Sequence, residues 1–77
     1  MLIDRYDKNG KQLAIGDYIL YKDKDSYKII YNEKFLAVGI VDADSNFSFM
    51  TDWAKEDWEY KTYEELFEEV QDGNSEN

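Results

Sequence analysis

The feature that most constrains this fold is the alternation of short apolar runs with turn-forming residues through the first fifty positions. Runs rich in Tyr, Phe, Ile and Val are typical of β-strands, and Asn, Asp and Gly clusters are typical of the turns between them. The pair Asn9-Gly10, for example, suits a tight turn that needs a positive φ. The strands that this pattern predicts are residues 2–7, 18–21, 26–31, 35–41 and 47–50.

Five short strands spaced about ten residues apart favour an antiparallel sheet that is strongly bent or closed into a small barrel. A flat, open sheet of this size would leave its edge strands unprotected, so closure is the expected solution. Gly39 lies inside the fourth run and predicts a bulge or a sharp bend there.

The pattern changes after Thr51. Thr62 and Glu65 have the spacing of a capping box, which predicts the start of a helix. The apolar residues that follow at helical spacing are Tyr63, Leu66, Phe67 and Val70. We therefore expect an α+β fold with an acidic C-terminal helix over residues 62–72, ended by Gly73. Residues 52–60 are either a short helix or an irregular acidic connection.

One globular domain over residues 1–72 and a flexible tail over 73–77 account for a chain of 77 residues. Cysteine and histidine are both absent, so disulfides, zinc sites, thiol nucleophiles and imidazole chemistry are excluded. We expect no enzyme activity, no cofactor and no metal. The sequence has no apolar run long enough to span a membrane and no signal peptide, which favours the cytoplasm, here that of a host bacterium.

Residues 42–46, Asp-Ala-Asp-Ser-Asn, open like a calcium-binding loop. An EF-hand loop needs Gly at its sixth position and a bidentate Glu at its twelfth, and this sequence has Phe47 and Trp53 there. The segment is better interpreted as an Asx-rich hairpin turn.

Negative charge is concentrated in the C-terminal half. Residues 1–41 contain seven Lys and Arg against six Asp and Glu, whereas residues 42–77 contain two Lys against twelve Asp and Glu, giving net charges of +1 and −10. Glu64 with Glu68, and Glu65 with Glu69, form like-charge pairs at i,i+4 spacing, which weaken a helix by roughly 0.2–0.5 kcal/mol each. A sequence shaped for stability alone would not carry them.

Closely spaced carboxylates on a rigid surface imitate the phosphates of a nucleic acid and are steered toward basic grooves. Two tryptophans within the acidic stretch would be apolar anchors if they are exposed. The partner-binding residues that we predict are Asp52, Trp53, Glu56, Asp57, Trp58, Glu59, Glu64, Glu65, Glu68 and Glu69. The alternative is that both tryptophans are core residues and the acidic face is only solvated. The net charge of −9 argues against direct nucleic-acid binding.

Residues 6–21 read Tyr-Asp-Lys-Asn-Gly-Lys-Gln-Leu-Ala-Ile-Gly-Asp-Tyr-Ile-Leu-Tyr, a D-x-x-G-x-x-L-x-x-G-D pattern followed by an apolar strand. This pattern resembles SH3-like small barrels of phage and prophage proteins, of which the YopX-like proteins are one group, over residues 4–41. The resemblance implies an SH3-like fold and carries over no functional residue.

Small, acidic, cysteine-free chains also resemble phage-encoded antagonists of host defence, including anti-CRISPR and anti-restriction proteins. That resemblance implies a phage-type inhibitor that binds a host nucleic-acid-binding protein, such as a CRISPR effector nuclease, through an acidic, nucleic-acid-mimicking surface. The alternative is a phage structural or regulatory module that self-associates as a homo-oligomer without catalysis.

Overall fold

A computed structural model of the chain describes residues 1–66, and these residues are mostly β-structure. The strands are β1 (Leu2–Tyr6), β2 (Gln12–Ala14), β3 (Tyr18–Tyr21), β4 (Asp25–Asn32), β5 (Ala37–Val41), β6 (Phe47–Phe49) and β7 (Trp58–Lys61). A short 3-10 helix, Lys55–Asp57, precedes β7, and residues 63–66 are helical.

The strands form two antiparallel sheets. β1 and β2 pair as a hairpin, and the larger sheet has the order β6-β5-β4-β3-β7. All five strands predicted from the sequence are present, and β2 and β7 were not predicted. Residues 52–60 were expected to be a short helix or an irregular connection. Both interpretations are wrong for residues 58–60, because Trp58, Glu59 and Tyr60 belong to a strand that pairs with β3.

The larger sheet is open, so the closed-barrel alternative is wrong. Its end strands, β6 and β7, do not pair with each other. The β7 edge is covered instead by the turn after β1: the N–H of Lys8 donates to the carbonyl of Trp58 at 2.8 Å, and the N–H of Tyr60 donates to Oδ2 of Asp7 at 2.9 Å. This cover removes the need for closure on that side.

The hydrophobic core lies between the hairpin and one face of the larger sheet. Strand register places Ile29 opposite Ile40, and Ile19 lies opposite Tyr27 on the same face. Leu13 of β2 packs against them and is fully buried. The buried apolar residues are Leu13, Ile19, Ile29, Ile40, Met50 and Trp58. We call the face that holds them the inner face and the other the outer face.

Gly39 sits in regular pairing between Ile30 of β4 and Phe49 of β6, so the bulge, one of the two expectations for this position, is wrong. The reason for glycine is steric, because a Cβ at position 39 would overlap the ring of Phe47. The Phe47 ring therefore lies directly on the backbone of β5.

The predicted capping box is confirmed. The N–H of Glu65 donates to Oγ1 of Thr62 at 3.1 Å, and the N–H of Thr62 donates to Oε1 of Glu65 at 2.9 Å. The ring of Tyr63 meets that of Tyr18 edge to face, with centroids 5.7 Å apart, so this helical turn packs on the outer face. The rest of the predicted helix and the predicted tail lie outside the described residues. Within residues 1–66, no helix is long and apolar enough to cross a membrane.

Candidate protein-binding surface

Strand β7 divides the predicted acidic residues into two groups. Asp52, Glu56 and Asp57 precede the strand, and Glu64 and Glu65 follow it. Four residues of extended chain span roughly 10 Å. The carboxylates are therefore distributed about the two ends of β7 and do not form one continuous helical row.

Glu59, in the middle of β7, is charge-compensated. Its Oε1 lies 3.4 Å from Nζ of Lys8, and its Oε2 lies 3.6 Å from Nζ of Lys61. Two lysines therefore share this carboxylate on the outer face. Glu59 links β7 to the β1–β2 turn, and it contributes little negative potential to the acidic surface.

Four predicted contact carboxylates are exposed and have no ion pair within residues 1–66, and three of them, Asp52, Glu56 and Glu64, also accept no hydrogen bond there. Glu65 is exposed too, but its carboxylate completes the capping box. The hydrogen bond from the backbone N–H of Thr62 lowers the pKa of Glu65 most, so this group is anionic at neutral pH. Glu68 and Glu69 lie outside the described residues.

The two tryptophans form a stack, with ring centroids 4.4 Å apart and planes 6° from parallel. Trp58 is only 8% exposed and also contacts the rings of Tyr21 and Tyr27, at 4.7 and 5.7 Å. It is a core residue, which does not fit its predicted role as an interface anchor. Trp53 is half-buried, and its Nε1 donates to the carbonyl of Tyr6 at 3.0 Å.

Trp53 and Glu56 line the same shallow, open cleft. Its other lining residues are Asp4, Arg5, Tyr6, Ala54 and Lys55, so two cations lie beside the carboxylates. The structure thus brings one predicted aromatic residue beside one predicted carboxylate. Arg5 is held in place there, because its guanidinium donates to the carbonyl of Met50 at 3.1 Å.

The Asp42–Asn46 segment is a hairpin turn, as the sequence indicated. Oδ1 of Asp42 accepts hydrogen bonds from the N–H groups of Asp44 and Asn46, each at 2.9 Å. The bond from Asn46 is the largest of the effects that lower the pKa of Asp42. Residues 1–66 contain no group of three acidic side chains placed to hold a metal ion.

A cluster of phenylalanines, which the sequence did not single out, lies on the outer face beside β6. The ring of Phe35 is 5.8 Å from that of Phe47 and 5.3 Å from that of Phe49, and the last two are 5.2 Å apart. Phe35 and Phe49 are each 50% exposed. The alternation Phe47-Ser48-Phe49 shows that two rings share a face, but only the register shows that this face lies away from the core.

Comparison with known proteins does not place the chain in a family. No family model matches the sequence, and no curated protein or solved structure is significantly similar to it. The resemblance to SH3-like phage proteins and to host-defence antagonists accordingly stays a prediction.

Proposed function

We propose that this protein binds a basic protein surface of the kind that binds nucleic acid, and inhibits that protein by occupying the surface. The observation that carries the proposal is the set of exposed carboxylates at both ends of β7, Asp52, Glu56 and Glu64. Within residues 1–66 these side chains have no cationic partner. Their negative charge is available to a partner molecule.

The contrast with Glu59 supports this proposal. The fold supplies Lys8 and Lys61 to Glu59 and leaves the carboxylates on either side uncompensated. Exposed carboxylates, on a chain of net charge −9, steer a basic partner into contact and raise its association rate. Because β7, roughly 10 Å long, separates the two groups along the chain, the partner should present two separate basic groups.

The specific form of the proposal is a phage-type inhibitor of a CRISPR effector nuclease, acting in the cytoplasm of the host bacterium. It is supported by small size, negative charge and the D-x-x-G-x-x-L-x-x-G-D pattern of residues 7–17. An SH3-like fold belongs to the same proposal, and the five-stranded antiparallel sheet supports it.

Displacement of nucleic acid tests the proposal. Purified nucleic-acid-binding proteins, beginning with CRISPR effector nucleases, are loaded with a labelled oligonucleotide, and the released fraction is followed by fluorescence anisotropy. We expect the protein to release the oligonucleotide from at least one of them without binding the free oligonucleotide. Direct binding to the free oligonucleotide, or release from none of the panel, would contradict the proposal.

A further inference from the structure

Strand β6 presents unpaired backbone groups at the edge of the larger sheet. The N–H of Asp42 donates to the carbonyl of Asn46 at 3.2 Å, so this residue pair is hydrogen-bonded. Bonded and non-bonded pairs alternate along an antiparallel ladder, which makes Ser48 the next bonded residue of β6, opposite Ile40. Phe47 and Phe49 therefore direct their N–H and C=O groups away from β5.

The two edges of the sheet differ in their protection. Lys8 and Asp7 bond to the backbone of β7, as described above. Within residues 1–66, no hydrogen bond reaches the outward N–H or C=O groups of Phe47 and Phe49. The strand itself has no charged residue and no proline, the devices that usually discourage pairing at an edge.

Side chains beside this edge suit an apolar contact. The Phe35, Phe47 and Phe49 rings form a cluster on the outer face, and the first and last are half exposed. An added strand would place alternate side chains over these rings, because successive residues of a strand point to opposite faces.

Charge around β6 defines the chemistry of its partner. Residues 42–54 contain three Asp and no Lys or Arg. Asp42 and Asp44 lie at one end of β6, and Asp52 lies beyond the other end. The apolar, hydrogen-bonding edge thus begins at a turn that carries two carboxylates, and no Lys or Arg lies near it in the sequence.

We propose that β6 is a docking site for an extended basic segment of a partner protein. The segment pairs with Phe47 and Phe49, covers the phenylalanine cluster with an apolar side chain and places Lys or Arg near Asp44. The inference rests on the basic partner of the proposed function and assigns a second point of contact and a binding mode. Strand addition of this kind obtains affinity from main-chain hydrogen bonds and specificity from alternate side chains.

A second copy of this chain fits the edge less well. Antiparallel two-fold pairing of Phe47 with Phe49 of the other copy brings together two segments, residues 42–54 of each copy, that contain three Asp and no Lys or Arg. Like charges facing each other across strands are destabilising, and each copy carries a net charge of −9. Charge therefore favours a basic segment over self-association.

Amide hydrogen exchange of the full chain, with and without a short peptide of alternating Lys and Val, tests the inference. Binding should slow exchange at Phe47 and Phe49 and leave Ser48, whose N–H already pairs with β5, nearly unchanged. A peptide of alternating Glu and Val should have no effect. Exchange at Phe47 and Phe49 that does not respond to the Lys peptide, or responds equally to the Glu peptide, would overturn the inference.

A matched pair of variants locates the contact. Phe49→Lys adds a cation to the edge and should weaken binding of the Lys peptide by about tenfold or more. Tyr31→Lys is the control, since Tyr31 is 46% exposed, close to the 50% of Phe49, but lies on β4. Equal effects of the two variants would contradict a site at β6. Protection of Phe47 and Phe49 that rises with protein concentration in the absence of peptide would show a second copy on this edge and would overturn the basic segment as its occupant.

The two proposals can fail separately. If Phe49→Lys leaves oligonucleotide displacement intact while charge reversal of Glu56 and Glu64 abolishes it, the β6 site is wrong and the proposed function stands. If the Lys peptide protects Phe47 and Phe49 but no oligonucleotide is displaced from any partner, the proposed function is wrong and the β6 site stands.

Discussion

Asp7→Asn removes the charge of the carboxylate that joins the β1–β2 turn to β7. Asp7 is 2% exposed, and its carboxylate accepts three backbone hydrogen bonds, from Asn9, Lys11 and Tyr60, all at 2.9 Å. An asparagine keeps Oδ1 for the first two bonds. Its amide nitrogen then faces the N–H of Tyr60, so a charge-assisted bond is replaced by two opposed donors.

The expected loss is about 2–3 kcal/mol of unfolding free energy at neutral pH, since one bond to a charged acceptor disappears and a backbone donor loses its partner. For a chain of 77 residues this corresponds to a Tm lower by roughly 10–20 °C. Urea unfolding followed by tryptophan fluorescence measures it, because Trp53 and Trp58 are stacked in the fold. The exposed Asp4→Asn is the matched control and should change stability by less than about 0.5 kcal/mol.

The pH dependence of this difference gives a second test. Burial raises the pKa of Asp7, but the backbone hydrogen bonds from Tyr60, Lys11 and Asn9 outweigh burial and hold the pKa below its ordinary value of 3.8. The depressed pKa means that the carboxylate stabilises the fold above the unfolded-state pKa of about 3.9 and loses this contribution as pH falls through the folded-state pKa. The stability difference between wild type and Asp7→Asn should thus be full at pH 7 and shrink below about pH 4. A difference that is constant with pH, or no larger than that of Asp4→Asn, would refute the reasoning.

Two further substitutions test local packing and capping. Gly39→Ala should destabilise the fold by about 1–3 kcal/mol or more, because the new Cβ overlaps both the Phe47 ring and the backbone oxygen of Ser48. Chemical denaturation measures the loss, and an unchanged midpoint would contradict this packing. Thr62→Ala should weaken the helical turn by about 1 kcal/mol, because the N–H of Glu65 loses its hydrogen bond to the Thr62 hydroxyl. Amide exchange at Glu65 should become faster, while the amide of Ile29 in the core stays protected. Equal protection of Glu65 in the two proteins would show that the cap contributes nothing.

Local sequence patterns were enough to predict much of the fold. Turn residues and alternating apolar runs located five strands, and the spacing of Thr62 and Glu65 located a helix start. Strand β2 escaped because its three residues, Gln12–Ala14, include no aromatic or β-branched residue, unlike the equally short β6. Strand β7 escaped because acidic residues around it suggested a helix or a loop, although Trp58-Glu59-Tyr60-Lys61 alternates as a strand should.

What the sequence could not show depends on contacts between distant positions. The open sheet follows from the turn after β1 covering β7, and the bond from Tyr60 to Asp7 joins residues 53 positions apart. Glu59 looked like its acidic neighbours until the fold placed Lys8 beside it. Trp58 looked like an interface anchor until strand pairing set it against Tyr21 in the core. No local signal distinguishes a compensated carboxylate from a free one.

Charge reversal at the two ends of β7 tests the central claim most directly. Glu56→Lys with Glu64→Lys is compared with Asp25→Lys and Glu33→Lys, which make the same change of charge at exposed residues outside the acidic stretch. The measurement is the concentration that releases half of the oligonucleotide from the partner, at about 0.1 M and about 1 M salt, where the Debye length falls from about 10 Å to about 3 Å. We expect the double substitution of Glu56 and Glu64 to raise that concentration at least about tenfold at low salt, and the control pair to change it far less. High salt should raise the concentration that the wild-type protein needs. Equal effects of the two pairs, or displacement that does not respond to salt, would contradict binding through the acidic surface.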